Sequence, residues 1–462
     1  MRPEILLFLF VISIFQLSAQ DSSFNLKDYK YRTPGYQALS IDIGLSGGLS
    51  KNENTNNGNQ KNRTLSFAPG FINYFHTIST DKRLHTSNVH FQPYLSFYKS
   101  ERTSSNAKQN NYQHVFTWNR NDKFYKKGNK YFEIGNELSN EIVNLKVRDA
   151  QSNRKDKFFD IENTVVLGIG KGRIESVQDA QMALFILNDL QEQGLISSPN
   201  AQTVNDFAKL ITQLNNRRIF DNRRKRIFEL TQIDSFIKEK NLAAETHIKH
   251  FTIINDNWAL AFNPIRFSGT NLFLRLLPSA GLGYSKSNVE YFNTTIFNSK
   301  IDNKFISLSP QIGVERFVPI NLKWQKDMGA KVSIGRYWLD RTNEEETNNS
   351  FLKNNLKQQI SHATINAFYG FGFYPNNRTL LNTNINLNTS YLNYKTGELK
   401  DEIFLSATAN LIANYFISYR SRLLAYVNLN YTRSSQENFS SVKTKFNSFN
   451  TNFSLSFSHI IF

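Results

Sequence analysis

His85-Thr86-Ser87-Asn88 sets a histidine two residues ahead of a serine. An imidazole that reaches a hydroxyl can take its proton and turn it into a nucleophile, so this spacing could support acyl chemistry. The same four residues also make a polar turn, and that is the reading adopted for them. A second group is electrostatic. Arg217, Arg218, Arg223, Arg224, Lys225 and Arg226, with Asp221 among them, form a dense run of charge. On one helix, positions 217, 224 and 228, or 218, 221 and 225, would share a face. Guanidiniums so placed could hold lipid phosphates or an acidic partner; a solvated, salt-bridged face is the alternative. Arg217, Arg218, Arg223, Arg224 and Arg226 are therefore the candidate residues for binding a partner or a lipid phosphate.

The remaining signals point away from catalysis. The eight histidines are dispersed and cysteine is absent, so neither a metal set nor a disulfide framework is expected. Gly168-Ile169-Gly170-Lys171-Gly172 lacks the dinucleotide pattern and the Lys-Ser/Thr ending of a phosphate loop, and reads as a strand-to-helix hinge. Glu344-Glu345-Glu346 reads as a solvated loop tip. No catalytic residue, cofactor or metal is expected, and the chain is not expected to be an enzyme.

The elements that must position these residues begin with an export signal. Arg2 precedes the apolar run Ile5 to Phe15, and Leu17-Ser18-Ala19 follows as a small-residue cleavage site. Residues 1–19 are read as a signal peptide and 20–38 as an N-terminal periplasmic segment. The apolar run is shorter than the roughly 20 residues of a membrane helix, and no later segment is long and apolar enough either. Mean hydropathy is −0.46, yet 39 Phe, 20 Tyr and 4 Trp are present. A membrane barrel produces this combination, because each of its strands has only one apolar face. The formal net charge of +17 permits binding to anionic surfaces, and outer-membrane lipids are the expected partner. Nucleic acid is excluded by export.

Strand periodicity recurs through two stretches. Leu381, Thr383, Ile385, Leu387 and Tyr391 share one face while Asn382, Asn384, Asn386, Asn388 and Ser390 share the other. Leu405, Ala407, Ala409 and Leu411 repeat this against Ser406, Thr408 and Asn410, and Val89, Phe91, Leu95 and Phe97 against His90, Gln92 and Ser96. The fold class is an all-β transmembrane antiparallel barrel of about fourteen strands, within a range of twelve to sixteen, carrying a small α-helical insertion. Residues 39–172 hold about six strands and 251–462 about eight. Polar low-complexity segments Lys51–Asn62, Glu101–Asn110, Asn288–Asn303, Asp340–Asn355 and Ser434–Lys443 are read as extracellular loops. Val318–Asn321, Tyr374–Arg378 and Ile417–Ser421 are read as short periplasmic turns.

Between the two strand-rich stretches the period changes to about 3.6. Val177, Ala180, Leu184, Leu187 and Leu190 form a helical stripe ending at Gly194, a C-cap. A second stripe runs Val204, Phe207, Ile211 and Leu214, and a third Ile227, Leu230, Ile233 and Ile237. Residues 173–250 are thus expected as a three-helix insertion, and strand parity puts it in the periplasm.

Two resemblances add to this reading. Phe453, Leu455 and Phe457, then Ile460 and Phe462, resemble the C-terminal signature by which outer-membrane barrels engage the barrel-assembly machinery. The alternation counted back from Phe462 fails at Ser458 and Ser456, and a β-bulge near Ser458-His459 would restore it. The run Gly168 to Ala180, with Phe185-Ile186-Leu187, Arg217 to Arg223 and Ile233-Asp234-Ser235-Phe236, is similar to a helical insertion in uncharacterised outer-membrane barrels of Bacteroidota-type bacteria. That resemblance implies architecture and localisation in a Gram-negative outer membrane, and it implies no activity. The His85-x-Ser87-Asn88 spacing resembles membrane lipid acyl-hydrolases, but Val89 stands where the phospholipase version has glycine, which puts such an activity in doubt. The expected function is a porin-like passive channel for small hydrophilic solutes, with the insertion docking or gating. The alternative is a non-channel anchor that binds a periplasmic protein partner through the insertion. A TonB-dependent transporter is disfavoured, because the length leaves no room for a plug plus a 22-stranded barrel.

Overall fold

Side chains on a strand alternate between faces, and rows of directly opposed residues carry one face across a whole sheet. In this chain, rows that are mainly apolar on one face and mainly polar on the other recur along a sheet of fourteen consecutive strands. The computed structural model describes residues 24–41, 44–54, 58–68, 70–102, 106–149, 151–217, 219, 221–243, 248–259, 266–291, 296–396, 399–418, 421–438 and 442–459. The signal peptide 1–19, Arg218, Ile460 and Phe462 lie outside them.

The first half contains β1 (Thr33–Ile41), β2 (Gly44–Asn54), β3 (Gly58–Ala68), β4 (Ile72–Ser79), β5 (Arg83–Arg102), β6 (Asn106–Tyr125), β7 (Lys130–Arg148) and β8 (Ser152–Ser176). Four helices follow: α1 (Gln178–Glu192), α2 (Ala201–Asn216), α3 (Asn222–Glu239) and α4 (Ile248–Ala259). The second half contains β9 (Phe267–Tyr291), β10 (Ile296–Pro319), β11 (Trp324–Thr347) and β12 (Ser350–Asn376). It closes with β13 (Thr379–Tyr394), β14 (Leu399–Ser418), β15 (Ser421–Asn438) and β16 (Lys443–His459). All sixteen segments join one sheet. β1 pairs with β4 and the following β2 with β3, while β3 and β4 both pair with β5. The first four segments therefore act as two long strands, and the meander has fourteen strands, six before the helices and eight after. Every pairing is antiparallel.

The sheet curls. Strands lie about 4.8 Å apart, so β4 and β8 of a flat sheet would be about 19 Å apart; yet Arg173 at the end of β8 donates to Ser79 Oγ at 2.9 Å. The first and eleventh strands of the meander would be about 48 Å apart when flat. Both rest on one domain whose helices of 12 to 18 residues span about 18–27 Å. Among the described residues β1 pairs only with β4 and β16 only with β15.

On the outer face, register aligns Ile169, Leu274, Ile312 and Val332, and further on Leu387, Ala407, Tyr431 and Phe449. Leu274 is 50 % and Phe453 69 % exposed, more apolar surface than water tolerates over so wide a patch. The inner face carries Asn384, Asn410, Asn428 and Asn452 in one row, with Asn428 Nδ2 donating to Asn410 Oδ1 at 2.6 Å. This is a transmembrane barrel wall, apolar toward lipid and polar toward the lumen.

Several boundaries differ from the sequence reading. β1 starts at Thr33 rather than after residue 38, because residues 24–32 pack beside the helices and release the chain earlier. β8 runs to Ser176, so the hinge is not at the glycine run. The helices run to Ala259 rather than residue 250, and among the described residues there are four instead of three. Buried His250 and Asn257 interrupt the apolar period of α4, which hid it. The segments read as extracellular loops, where described, are mostly paired strand, as in Asn298–Asn303 and Asp340–Thr347. Beyond the apolar band both faces meet water, so the alternation fades although backbone pairing continues. β16 keeps one register from Lys443 to His459 without the expected bulge.

The glycine run has a packing reason. A Cβ on Gly168 would stand 2.9 Å from Glu133 Oε2, and one on Gly170 2.3 Å from the Tyr131 ring. Gly172 has φ +108° and Gly269, on the facing strand, φ +131°; a Cβ on either meets a backbone carbonyl at 2.0 or 2.1 Å. Gly172→Ala adds about 1–3 kcal/mol of backbone strain before any clash is relieved. The expected outcome is a clear drop in the barrel's unfolding temperature, read from its heat-modifiable gel mobility. An unchanged transition would show that this crossing is not strained.

Candidate functional site at the mouth of the barrel

The helical domain grows from apolar stripes at helical spacing. Val177, Ala180, Leu184, Leu187 and Leu190 are buried, as are Val204, Phe207, Ile211, Leu214, Ile233 and Ile237. Gly194 takes φ +66° after α1, the left-handed C-cap position expected of it. Ile227 departs from its stripe: it is 58 % exposed. The fourth helix completes the core with Ile254 and Trp258, whose Nε1 donates to Glu229 at 2.7 Å. Asn200 caps α2 by accepting from the Thr203 N–H, and Asp221 caps α3 by accepting from the Arg223 and Arg224 N–H groups.

This domain lies across the end of the barrel. Its covalent links are β8 and β9. The N-terminal segment joins it through buried Tyr29, whose hydroxyl lies 2.5 Å from Thr212 Oγ1, and Asn216 Nδ2 donates to Thr33 at the start of β1. Leu322 in the turn between β10 and β11 packs on the core. In the turn between β12 and β13, Asn377 donates to Asn257 and Arg378 pairs with Asp256, both through short contacts. Ion pairs stitch the rim: Arg32 bridges Asp81 at 2.6 Å and Glu175 at 2.9 Å, and Arg173 also meets Glu175 at 2.9 Å. Arg266, 1 % exposed, donates to the carbonyls of Asn321, Leu322 and Trp324.

Just inside this end the lumen holds charge. Glu133, fully buried, accepts from Arg275 at 2.8 and 2.9 Å and from Asn121 at 2.6 Å, with Lys123 at 3.9 Å. Tyr131 donates to Asn271 at 2.6 Å. A buried bidentate pair is held mainly because removing one partner strands the other. Nothing in the sequence marked Glu133 and Arg275 as partners, since 142 residues separate them.

Asp179 sits under the domain, accepting from Thr212 Oγ1 at 2.6 Å and Asn215 Nδ2 at 3.3 Å. Burial pushes its carboxyl above the ordinary 3.8, against the lowering effect of those bonds. The folded domain therefore holds a proton that the unfolded chain releases. Its contribution to stability is full below pH 3.8 and is lost as pH rises through the folded value. Asp179→Asn is expected to raise the domain's melting temperature at neutral pH and to leave it unchanged below pH 3.8. A shift equal at both pH values, followed by helical circular dichroism, would contradict this.

The predicted arginine group is divided. The chain breaks between α2 and α3, so the residues do not share one helix. Arg217 stacks on Phe228 at 4.2 Å, and Arg226 ties α3 to α4 through Asn255 Oδ1 at 2.9 Å and its carbonyl at 2.6 Å. Arg223 and Arg224 are exposed, beside Ile227. Arg218 lies outside the described residues, as do Ile460 and Phe462.

His85 and Ser87 lie on β5, not in a turn. His85 Nδ1 is 2.8 Å from Asp122 on β6, a partner the sequence reading missed. Ser87 Oγ accepts from Trp118 Nε1 at 3.2 Å and has no described bond to His85. The orienting carboxylate of a nucleophilic triad is thus in place, while the hydroxyl is turned to another donor.

No family model and no curated protein sequence matches the chain. Among solved structures it is similar to the toluene transporter TodX of Pseudomonas putida, at 10 % identity and TM-score 0.29, covering 92 % of this chain and 88 % of that one. It is similar to the translocator domain of the autotransporter NalP from Neisseria meningitidis, at 8 % identity and TM-score 0.27, covering 83 % and 89 %. The ferric yersiniabactin uptake receptor FyuA from Yersinia pestis matches at 6 % identity and TM-score 0.32, covering 90 % and 72 %.

Proposed function

We propose that the protein is an outer-membrane channel, porin-like and passive, for small hydrophilic solutes, with its helical domain in the periplasm acting as a gate. The observation that carries this reading is the seat of the domain. It touches the start of β1, the β8 and β9 ends and the turns after β10 and β12, and so lies across the mouth of a polar lumen. That lumen carries Lys123, Glu133 and Arg275 on β6, β7 and β9, and Asn, Ser and Thr on β13 and β14. At the opposite end the hairpins run on as paired strands of polar residues, and the start of β1 lies at the domain's end, which fits the periplasmic side of such barrels. The chemistry found is structural: Ser87 answers to Trp118 rather than His85, which supports a non-catalytic role.

Planar-bilayer recordings on the full chain and on a form lacking residues 177–259 test the reading. The shortened barrel is expected to conduct steadily and the full chain to conduct rarely. Silence in both forms contradicts a channel. The anchor alternative draws on exposed Arg223, Arg224 and Ile227, and would be favoured by a periplasmic protein whose copurification is lost in R223E/R224E.

A further inference from the structure

At one end of the apolar band the outer face of the barrel carries a charged cluster on β4, β5 and β6. Register sets His76 opposite Ser87, Ser87 opposite Arg120, His85 opposite Asp122 and Arg83 opposite Phe124. Opposed residues share a face. On β5 that face continues through Val89, Phe91, Leu95 and Phe97, so the cluster points outward. It stands within a few residues of the turn at 80–82, at the end of the barrel where the helical domain sits.

Asp122 organises the group. Its carboxylate is fully buried and accepts from Arg83 Nε at 3.0 Å and Nη2 at 2.7 Å, from Arg120 Nε at 2.9 Å, and lies 2.8 Å from His85 Nδ1. One carboxylate thus holds two guanidiniums, and the cluster keeps a net positive charge. Both arginines still show surface: their side chains are 37 % and 45 % exposed. Among the described residues, no hydrogen bond uses Arg83 Nη1 or either terminal nitrogen of Arg120. Trp118 and Phe124 flank them, and exposed Lys82, Lys126 and Lys127 lie in the adjoining turns. Aromatic side chains mark the level where acyl chains give way to headgroups. A fixed guanidinium pair at that level matches the planar, bidentate recognition of phosphate.

We propose that Arg83 and Arg120, oriented by Asp122, bind the phosphate of an anionic phospholipid headgroup on the outer face of β5 and β6. The site is separate from the arginines of the helical domain and does not depend on conduction. Its net charge selects an anionic over a zwitterionic lipid.

The test is native mass spectrometry of the full chain in a neutral detergent, titrated with phosphatidylglycerol, with phosphatidylcholine of the same acyl chains, and with inorganic phosphate. Phosphatidylglycerol is expected to bind at one site per chain and to lose about tenfold or more in affinity in R83Q/R120Q. Because that variant leaves Asp122 buried with only His85, R83Q/D122N/R120Q removes the stranded charge as well and should show the same loss while folding normally. Unchanged affinity in a folded variant overturns the proposal. Equal binding of phosphatidylcholine overturns the selectivity, and displacement of the lipid by inorganic phosphate overturns the assignment to a lipid.

Discussion

Replacing Trp258 with alanine is expected to melt the helical domain while the barrel stays folded. Trp258 is 1 % exposed and closes the core from α4, and its indole N–H is the donor bound to buried Glu229. Removing a buried tryptophan costs about 3–5 kcal/mol, and it also strips Glu229 of that donor. A unit of about 80 residues has a stability of order 4–12 kcal/mol, so the loss takes much of it. The barrel reaches this core through Leu322 in the turn after β10, while its own stability lies in strand pairing and the lipid-facing surface. Limited proteolysis should therefore cut the variant between 177 and 259 while heat-modifiable mobility of the barrel persists. Full protection of the domain would show that α4 is not essential to its core. The variant is also expected to conduct, like the barrel shortened by residues 177–259.

A second large effect is expected at the contact between the domain and the turn after β12. Asn377→Ala with Arg378→Ala removes the hydrogen bond to Asn257 and the ion pair to Asp256 without touching either core. Charge-assisted contacts of this kind are worth about 1–3 kcal/mol together, a shift of roughly 5- to 150-fold between seated and unseated domain. Single-channel recordings should show open probability rising within that range. Conductance per opening should stay the same, because no lumenal residue changes. Unaltered gating would mean that the domain is held by its other contacts alone.

The wall of the barrel was legible because lipid and lumen impose a two-residue period. Leu381 to Tyr391 alternates, and across the lumenal face the structure pairs Asn384, Asn386 and Asn388 with Asn410, Thr408 and Ser406. What was hidden depends on distance along the chain. Asp122 lies 37 residues after His85, and Glu133 lies 142 before Arg275; only register brings them together. The division of the arginine group was hidden for a different reason. The break after Asn216 depends on a cap at Asp221, which in the sequence looks like one more charge in a charged run. α4 escaped notice because Asn257 and His250 are buried for bonding, to Asp189 and to the Leu195 carbonyl, and so interrupt its apolar stripe.

The most direct test of the proposed gating uses the absence of native cysteine. Asn257→Cys with Asn377→Cys places two thiols across the seat, where a reducible bis-methanethiosulfonate bridge can join them. In a planar bilayer the bridged protein should be silent, and adding a reductant during the same recording should restore openings. Openings that continue at the same rate while the bridge is intact would contradict gating by the helical domain.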